Sequence, residues 1–176
     1  MNADGKLMDM LTGYAAAHQH PVNIFVHMIG IPTIMLGVLI PMTWVGFEVN
    51  DIRFLLAHLV VLAFFIFYVT LDVVFALVFA VAGYLLTALA AKLGAYPGNM
   101  GWFIAAACFF GGYVAQFIGH AVEKSMPVLV KHPIQANLAA PFFTVVELFK
   151  LAGLREELFD AVQERIKAQR DVQGAT

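Results

Sequence analysis

Long apolar stretches alternate with short polar joints along this chain, and their lengths define its elements. A helix crossing the hydrocarbon core of a bilayer takes about 20 apolar residues. The stretch 24–47 meets that length, interrupted only by His27 near its start. A polar loop follows, with Glu48, Asn50, Asp51 and Arg53. The stretch 54–91 holds a single charge, Asp72, plus His58, and is too long for one crossing helix. It predicts a helical hairpin, 54–71 and 73–91, turning at Asp72. Residues 92–99 read as a turn, because Gly and Pro break the helix there. A further crossing helix is predicted over 100–119, ending at His120 ahead of Glu123 and Lys124.

Beyond Pro127 the pattern changes. The stretch 138–151 is apolar but short and holds Pro141 and Glu147, which predicts an interfacial or half-inserted helix. Over 154–170, Leu154, Leu158, Val162 and Ile166 recur at helical spacing among charged residues. That is an amphipathic helix, resting either on its own protein or on a membrane surface. The expected fold is all-α: an integral membrane helical bundle of about four transmembrane helices, with an interfacial and a C-terminal amphipathic helix. The expected division is a membrane domain over 1–153 and a cytoplasmic C-terminal helix and tail over 154–176.

Composition agrees with lipid as the solvent. The chain is 61% hydrophobic and 12% charged, with mean hydropathy +0.82; an ordinary soluble domain carries about 25% charged residues. The net charge of −2 argues against nucleic acid as a partner. The single cysteine, Cys108, excludes an intrachain disulfide and a Cys-based zinc or iron–sulfur site. The segment before the first apolar run holds Asp4, Lys6, Asp9, His18 and His20 and is not a basic signal-peptide n-region. With four crossings, Arg53 and Lys92 fall on one side. Lys6, Lys124, Lys131, Lys150, Arg155, Arg165, Lys167 and Arg170 fall on the other. The positive-inside rule then places both termini in the cytoplasm.

Four crossings also bring polar groups to one leaflet. His18, His20 and His27 stand at the start of the first span, Asp72 at the hairpin turn, and His120 and Glu123 at the exit of the last span. Pro21 suits the first position of a helix, which sets Asn23 and His27 on one face with His18 just ahead. Gln116, His120 and Glu123 also share a face. Histidines with amide and carboxylate neighbours and no thiol suit iron, manganese, copper or zinc. Taken alone, His18, His27 and His120 read equally as ordinary interfacial histidines. His58 reads as structural, His20 as a helix-start residue, His132 as a loop residue and Asp72 as a turn cap.

Two strings add to this reading. The first is Tyr14-Ala-Ala-Ala-His18-Gln-His-Pro-Val-Asn23-Ile-Phe-Val-His27, running on to Gly30-Ile-Pro32-Thr. The second is Gln116-Phe-Ile-Gly-His120, followed by Glu123-Lys124 and Pro127. Together with Ala139-Ala-Pro141-Phe-Phe and Glu147-Leu-Phe-Lys150-Leu they resemble the membrane-bound 2-hydroxy fatty acid dioxygenase family, over about 14–153. The resemblance implies an iron(II)-dependent enzyme of the bacterial inner membrane or the endoplasmic reticulum. Such an enzyme uses O2 to shorten a 2-hydroxy fatty acid by one carbon, releasing CO2. It implies His18, His27 and His120 as metal ligands and catalytic residues, with Asn23, Gln116, Glu123 and Glu147 supporting them. Lys124 or Lys131 is then a candidate for the substrate carboxylate. Two other classes compete: a haem electron-transfer protein with two axial histidines, and a membrane scaffold whose histidines are incidental.

Overall fold

In the computed structural model, which describes residues 3–131 and 133–174, α1 (Ala3–Ala17) leads into α2 (Pro21–Met42) through a three-residue reversal. Pro21 opens α2 because a first-turn residue has no use for its N–H, and the His20 ring accepts the Val22 N–H at 3.2 Å. His20 is therefore a helix cap. Pro32 and Pro41 lie inside α2, as prolines do in helices that cross lipid.

A small hairpin follows, β1 (Gly46–Val49) and β2 (Ile52–Leu55). Asn50 and Asp51 both take positive φ, 47° and 63°, the geometry of a tight hairpin turn. The loop expected here is thus a strand pair, which takes residues 46–47 from the end of the expected first span and 54–55 from the start of the next helix. Helix α3 (Leu56–Val69) consequently has 14 residues, or about 21 Å of rise, where 54–71 was expected. The remaining helices are α4 (Val73–Gly94), α5 (Met100–Glu123), α6 (Val128–Lys131), α7 (Pro133–Leu151) and α8 (Glu156–Gly174). α2, α4 and α5 are each long and apolar enough to cross a membrane. α2 to α5 pass up and down in succession. The Trp44 indole donates to the Gly94 carbonyl at one end (3.0 Å), and the Tyr68 hydroxyl to the Leu138 carbonyl at the other (2.7 Å).

The closest packing joins α2 and α5, antiparallel. Its seam is made of glycine. A Cβ on Gly37 would meet Phe109 N at 2.5 Å, one on Gly112 the Gly30 carbonyl at 3.0 Å, and one on Gly119 the Asn23 Oδ1 at 2.5 Å. Small residues let helix backbones approach closely where lipid offers no hydrophobic drive for association.

α7 starts five residues before the expected stretch 138–151, and one face of it is buried in the protein. Phe142, Phe143, Val145 and Val146 are buried in one core with Leu7 and Leu11 of α1, Tyr68, and Phe75 and Phe79 of α4. Val162 and Ile166 of α8 enter the same core, so this amphipathic helix rests on its own protein. α1 was not foreseen, because its apolar residues are too few to stand out until α7 and α8 cover them. Asp72 caps α4, accepting the Val74 and Phe75 N–H groups at 2.9 and 3.0 Å, and pairs with Arg155 at 2.5 Å. Its carboxylate is committed to the turn and to the entry of α8.

Candidate metal centre

His18, His27 and His120 converge. All three are buried, and one ring nitrogen from each lies within 4.8 Å of the other two. The ring centroids are 4.5, 5.0 and 4.9 Å apart. α5 runs on past 119 to Glu123, which keeps His120 inside the helix and turned toward α2.

Each ring is held from behind through Nδ1. His18 Nδ1 donates to the Tyr14 carbonyl and His27 Nδ1 to the Asn23 carbonyl, both at 2.9 Å. His120 Nδ1 pairs with the Ser125 hydroxyl at 2.9 Å. A carbonyl only accepts, so the first two rings carry their proton on Nδ1 and present a bare Nε2 lone pair. Those two Nε2 atoms face each other at 3.3 Å. Two lone pairs at that distance repel unless a cation lies between them. Metal–nitrogen bonds are about 2.1 Å, so one ion reaches both. Burial pushes the His18 pKa down to about 4, which keeps this ring in the neutral form that metals bind.

The residues around the cluster divide into distinct roles. Glu123 gathers the Gln19 and His20 backbone N–H groups, at 2.6 and 2.9 Å, and the Asn23 side-chain amide. It thereby clamps the reversal carrying His18, and the positive start of α2, to the end of α5. Asn23 is fully buried, and its Oδ1 has no partner among the described residues. Gln116 lies over Gly30 and lines the neighbouring cavity, with no hydrogen bond to a histidine among the described residues. Glu147 is buried beside Tyr14, with Lys150 Nζ at 3.9 Å. Burial first, and the Glu147 charge second, hold the Tyr14 phenol protonated. None of these four side chains orients a histidine ring directly. Backbone carbonyls and Ser125 do so, and these escaped notice because a carbonyl has no side-chain signature. Ser125 is reached only through the left-handed Lys124, φ 56°. Tyr14 also escaped notice as a site residue; its ring stacks between His18 and Phe143, with centroids at 3.9 and 3.4 Å.

Lys124 is exposed at the end of α5 and does not line the cavity; the side chain of Lys131 and all of His132 lie outside the described residues. His58 caps the start of α3, accepting the Leu55 N–H at 3.3 Å.

The three histidines open onto a cavity of about 840 Å³, walled mainly by apolar side chains of α1, α2, α3, α5 and α7, with the exposed Lys6 and Asp9 of α1 also lining it. Pockets of roughly 300–1,000 Å³ hold small-molecule ligands.

Fold and site together define a helical membrane protein with a buried three-histidine cluster at one end of an apolar cavity. The chain belongs to the Mpo1-like family: the model described as 2-hydroxy-palmitic acid dioxygenase Mpo1-like matches residues 5–151. It is similar to the 2-hydroxy-palmitic acid dioxygenase MPO1 of Saccharomyces cerevisiae (strain ATCC 204508 / S288c). The two are 33% identical over 147 residues, covering 82% of this chain and 81% of that one. No solved structure matches the chain.

Proposed function

We propose that this protein is an iron(II)-dependent dioxygenase of 2-hydroxy fatty acids, with His18, His27 and His120 as the metal ligands. The observation that carries the reading is the meeting of the three rings, two with bare nitrogens 3.3 Å apart, at the head of an apolar cavity. Zinc has no redox chemistry, and a dioxygenase needs a metal that has it. Three histidines with open positions suit ferrous iron, which when bound supplies O2 activation. The atoms balance without a further reductant: a 2-hydroxy acid and O2 give the acid one carbon shorter, CO2 and water. The chain's own residues do the rest. The Nδ1 acceptors fix the ring directions, Glu123 fixes the reversal, and the apolar walls hold the alkyl chain and exclude water. Nitrogens 3.3 Å apart leave no room for a macrocycle between two axial histidines, which disfavours the haem alternative.

Metal analysis of anaerobically purified protein should find one iron per chain. CO2 release from 2-hydroxypalmitate should need that iron and O2. A Soret band, or folded protein with no stoichiometric metal and no turnover, would overturn the reading.

Glu123→Ala is expected to lower iron affinity and turnover about 10–100-fold, the usual cost of losing a group behind the ligands. Competition with a chelator measures it. Wild-type affinity in that variant would mean the clamp is dispensable.

We also place both termini in the cytoplasm, of the bacterial inner membrane or the endoplasmic reticulum. The basis is the gathering of basic residues at the histidine end of the bundle, against Arg53 and Lys92 at the other. In a Cys108→Ser background, an impermeant thiol reagent added outside should label Asn99→Cys and spare Gly5→Cys. The opposite pattern would reverse the orientation.

A further inference from the structure

The cavity does not end at the histidines. On α2 it is lined from His27 down to Leu39, twelve residues further along, or about 18 Å of helix. One leaflet of hydrocarbon is about 15 Å deep, half of a core of about 30 Å. The cavity therefore reaches about as far into the membrane as an acyl chain in one leaflet does. It is also open at the side. α5 packs on α2 and α3 packs on α4, while α3 and α5 barely touch. Phe67 of α3 and Phe117 of α5 both line the cavity and both stay exposed, at 39% and 48%; at this end the start of α7 bridges the two helices, with the Tyr68 hydroxyl donating to the Leu138 carbonyl and the Tyr113 hydroxyl to Asn137 Oδ1. The same two helices carry Leu62, Ile66, Val114 and Ile118, all exposed and apolar. The gap between α3 and α5 is thus flanked by apolar surface of the kind that lipid covers.

We propose that the cavity is a slot for one acyl chain drawn sideways from a leaflet, and that Val38 and Val60 at its deep end set the longest chain accepted. The inference rests on the proposed function for the identity of the headgroup, a 2-hydroxy carboxylate held at the histidines. The slot itself needs only an alkyl chain. Val38 on α2 and Val60 on α3 both line the cavity and are only half-buried. They lie on the helix turns furthest from the histidines, so larger side chains there shorten the slot without touching the ligands. α3 begins at the far end of the bundle, where the Leu56 N–H bonds the Val45 carbonyl at 2.9 Å. That places Val60 one turn from the far end.

The test compares Val38→Trp and Val60→Trp with wild type, in nanodiscs, over straight-chain 2-hydroxy acids from octanoate to stearate. Binding is read without metal, by displacement of a fluorescent fatty acid, and kcat/KM is read on the iron-loaded enzyme. Both Trp variants should bind and turn over short acids as wild type does and lose the long ones, by about fourfold per methylene left outside the slot. Val38→Ala and Val60→Ala should shift the preference toward longer acids, a result that does not depend on a bulky residue being tolerated. Leu85→Trp, on the exposed face of α4, should leave the profile unchanged. An equal loss for every chain length, or an unaltered profile in both the Trp and Ala variants, would overturn the proposal. A length cut-off in metal-free binding with no turnover would uphold the slot and count against the dioxygenase. Turnover with a flat length profile would do the reverse.

Discussion

His120→Ala should abolish turnover and iron retention while leaving the protein folded. The effect must exceed the roughly 10–100-fold cost of disturbing a supporting group, because a nitrogen that would bind the ion is itself removed. His120 is also the one histidine contributed by α5; His18 and His27 come from the reversal and α2. Without it, two nitrogens on adjoining segments remain, facing each other at 3.3 Å. The fold does not depend on this ring. Its partner is the Ser125 hydroxyl at the end of α5, and the α2–α5 seam is built from glycines below it. The measurement is thermal unfolding in detergent with and without ferrous iron. A ligand that binds only the folded state raises its stability. Wild type should show an iron-dependent rise in Tm, and His120→Ala none, with the metal-free Tm little changed. His18→Ala and His27→Ala should behave alike. His58→Ala, at the opposite end of the bundle, is the matched control and should keep the iron-dependent rise. Full iron content and activity in His120→Ala would show that the centre lies elsewhere. If all three variants kept both, a scaffold would be the better description.

Gly37→Ala is expected to have the largest effect of any single methyl in the protein. The added carbon would lie 2.5 Å from Phe109 N, 2.8 Å from Phe109 Cα and 2.8 Å from the Ala105 carbonyl. All three are backbone atoms of α5, so no side chain can rotate away. The helices must part or tilt. Overpacking of this kind costs about 1–3 kcal/mol or more. The damage should reach the site, since the same seam sets the distance between His27 on α2 and His120 on α5. Iron affinity should therefore fall together with stability, although Gly37 is ten residues beyond His27 and touches no histidine. Gly111→Ala is the control. Nothing lies within 4 Å of its added carbon, and an alanine in an open helix position gains about 0.5–1 kcal/mol over glycine. Unfolding of the two variants in detergent, with iron per chain determined on each, separates the outcomes. Wild-type stability and iron in Gly37→Ala would mean that the seam is looser than its geometry indicates.

Much of the architecture was legible along the chain, because lipid imposes a strong rule. A crossing segment must be long, apolar and helical to satisfy its own backbone. That rule located α2, α4 and α5 within a few residues and placed the turn at Asp72. Counting crossings then set the start of α2 and the end of α5 at the same membrane face, so His18, His27 and His120 were candidates for one site before any contact was known. Beyond this the sequence was mute, and the reasons are physical. A strand pair at 46–55 depends on two residues, Asn50 and Asp51, adopting positive φ, which a run of mixed polar and apolar residues does not announce. α1 and α7 become buried only in a core they share with Tyr68 of α3, Phe75 and Phe79 of α4, and α8, so their burial is a property of the assembled molecule. The hydrogen-bond partners of the rings are the Tyr14 and Asn23 carbonyls and a serine beyond a left-handed residue. Every residue carries a carbonyl, so only the folded backbone decides which of them faces a histidine. Tertiary packing also gave the seam glycines their meaning. Gly111 and Gly112 are neighbours in the sequence, yet one faces open space and the other the backbone of α2.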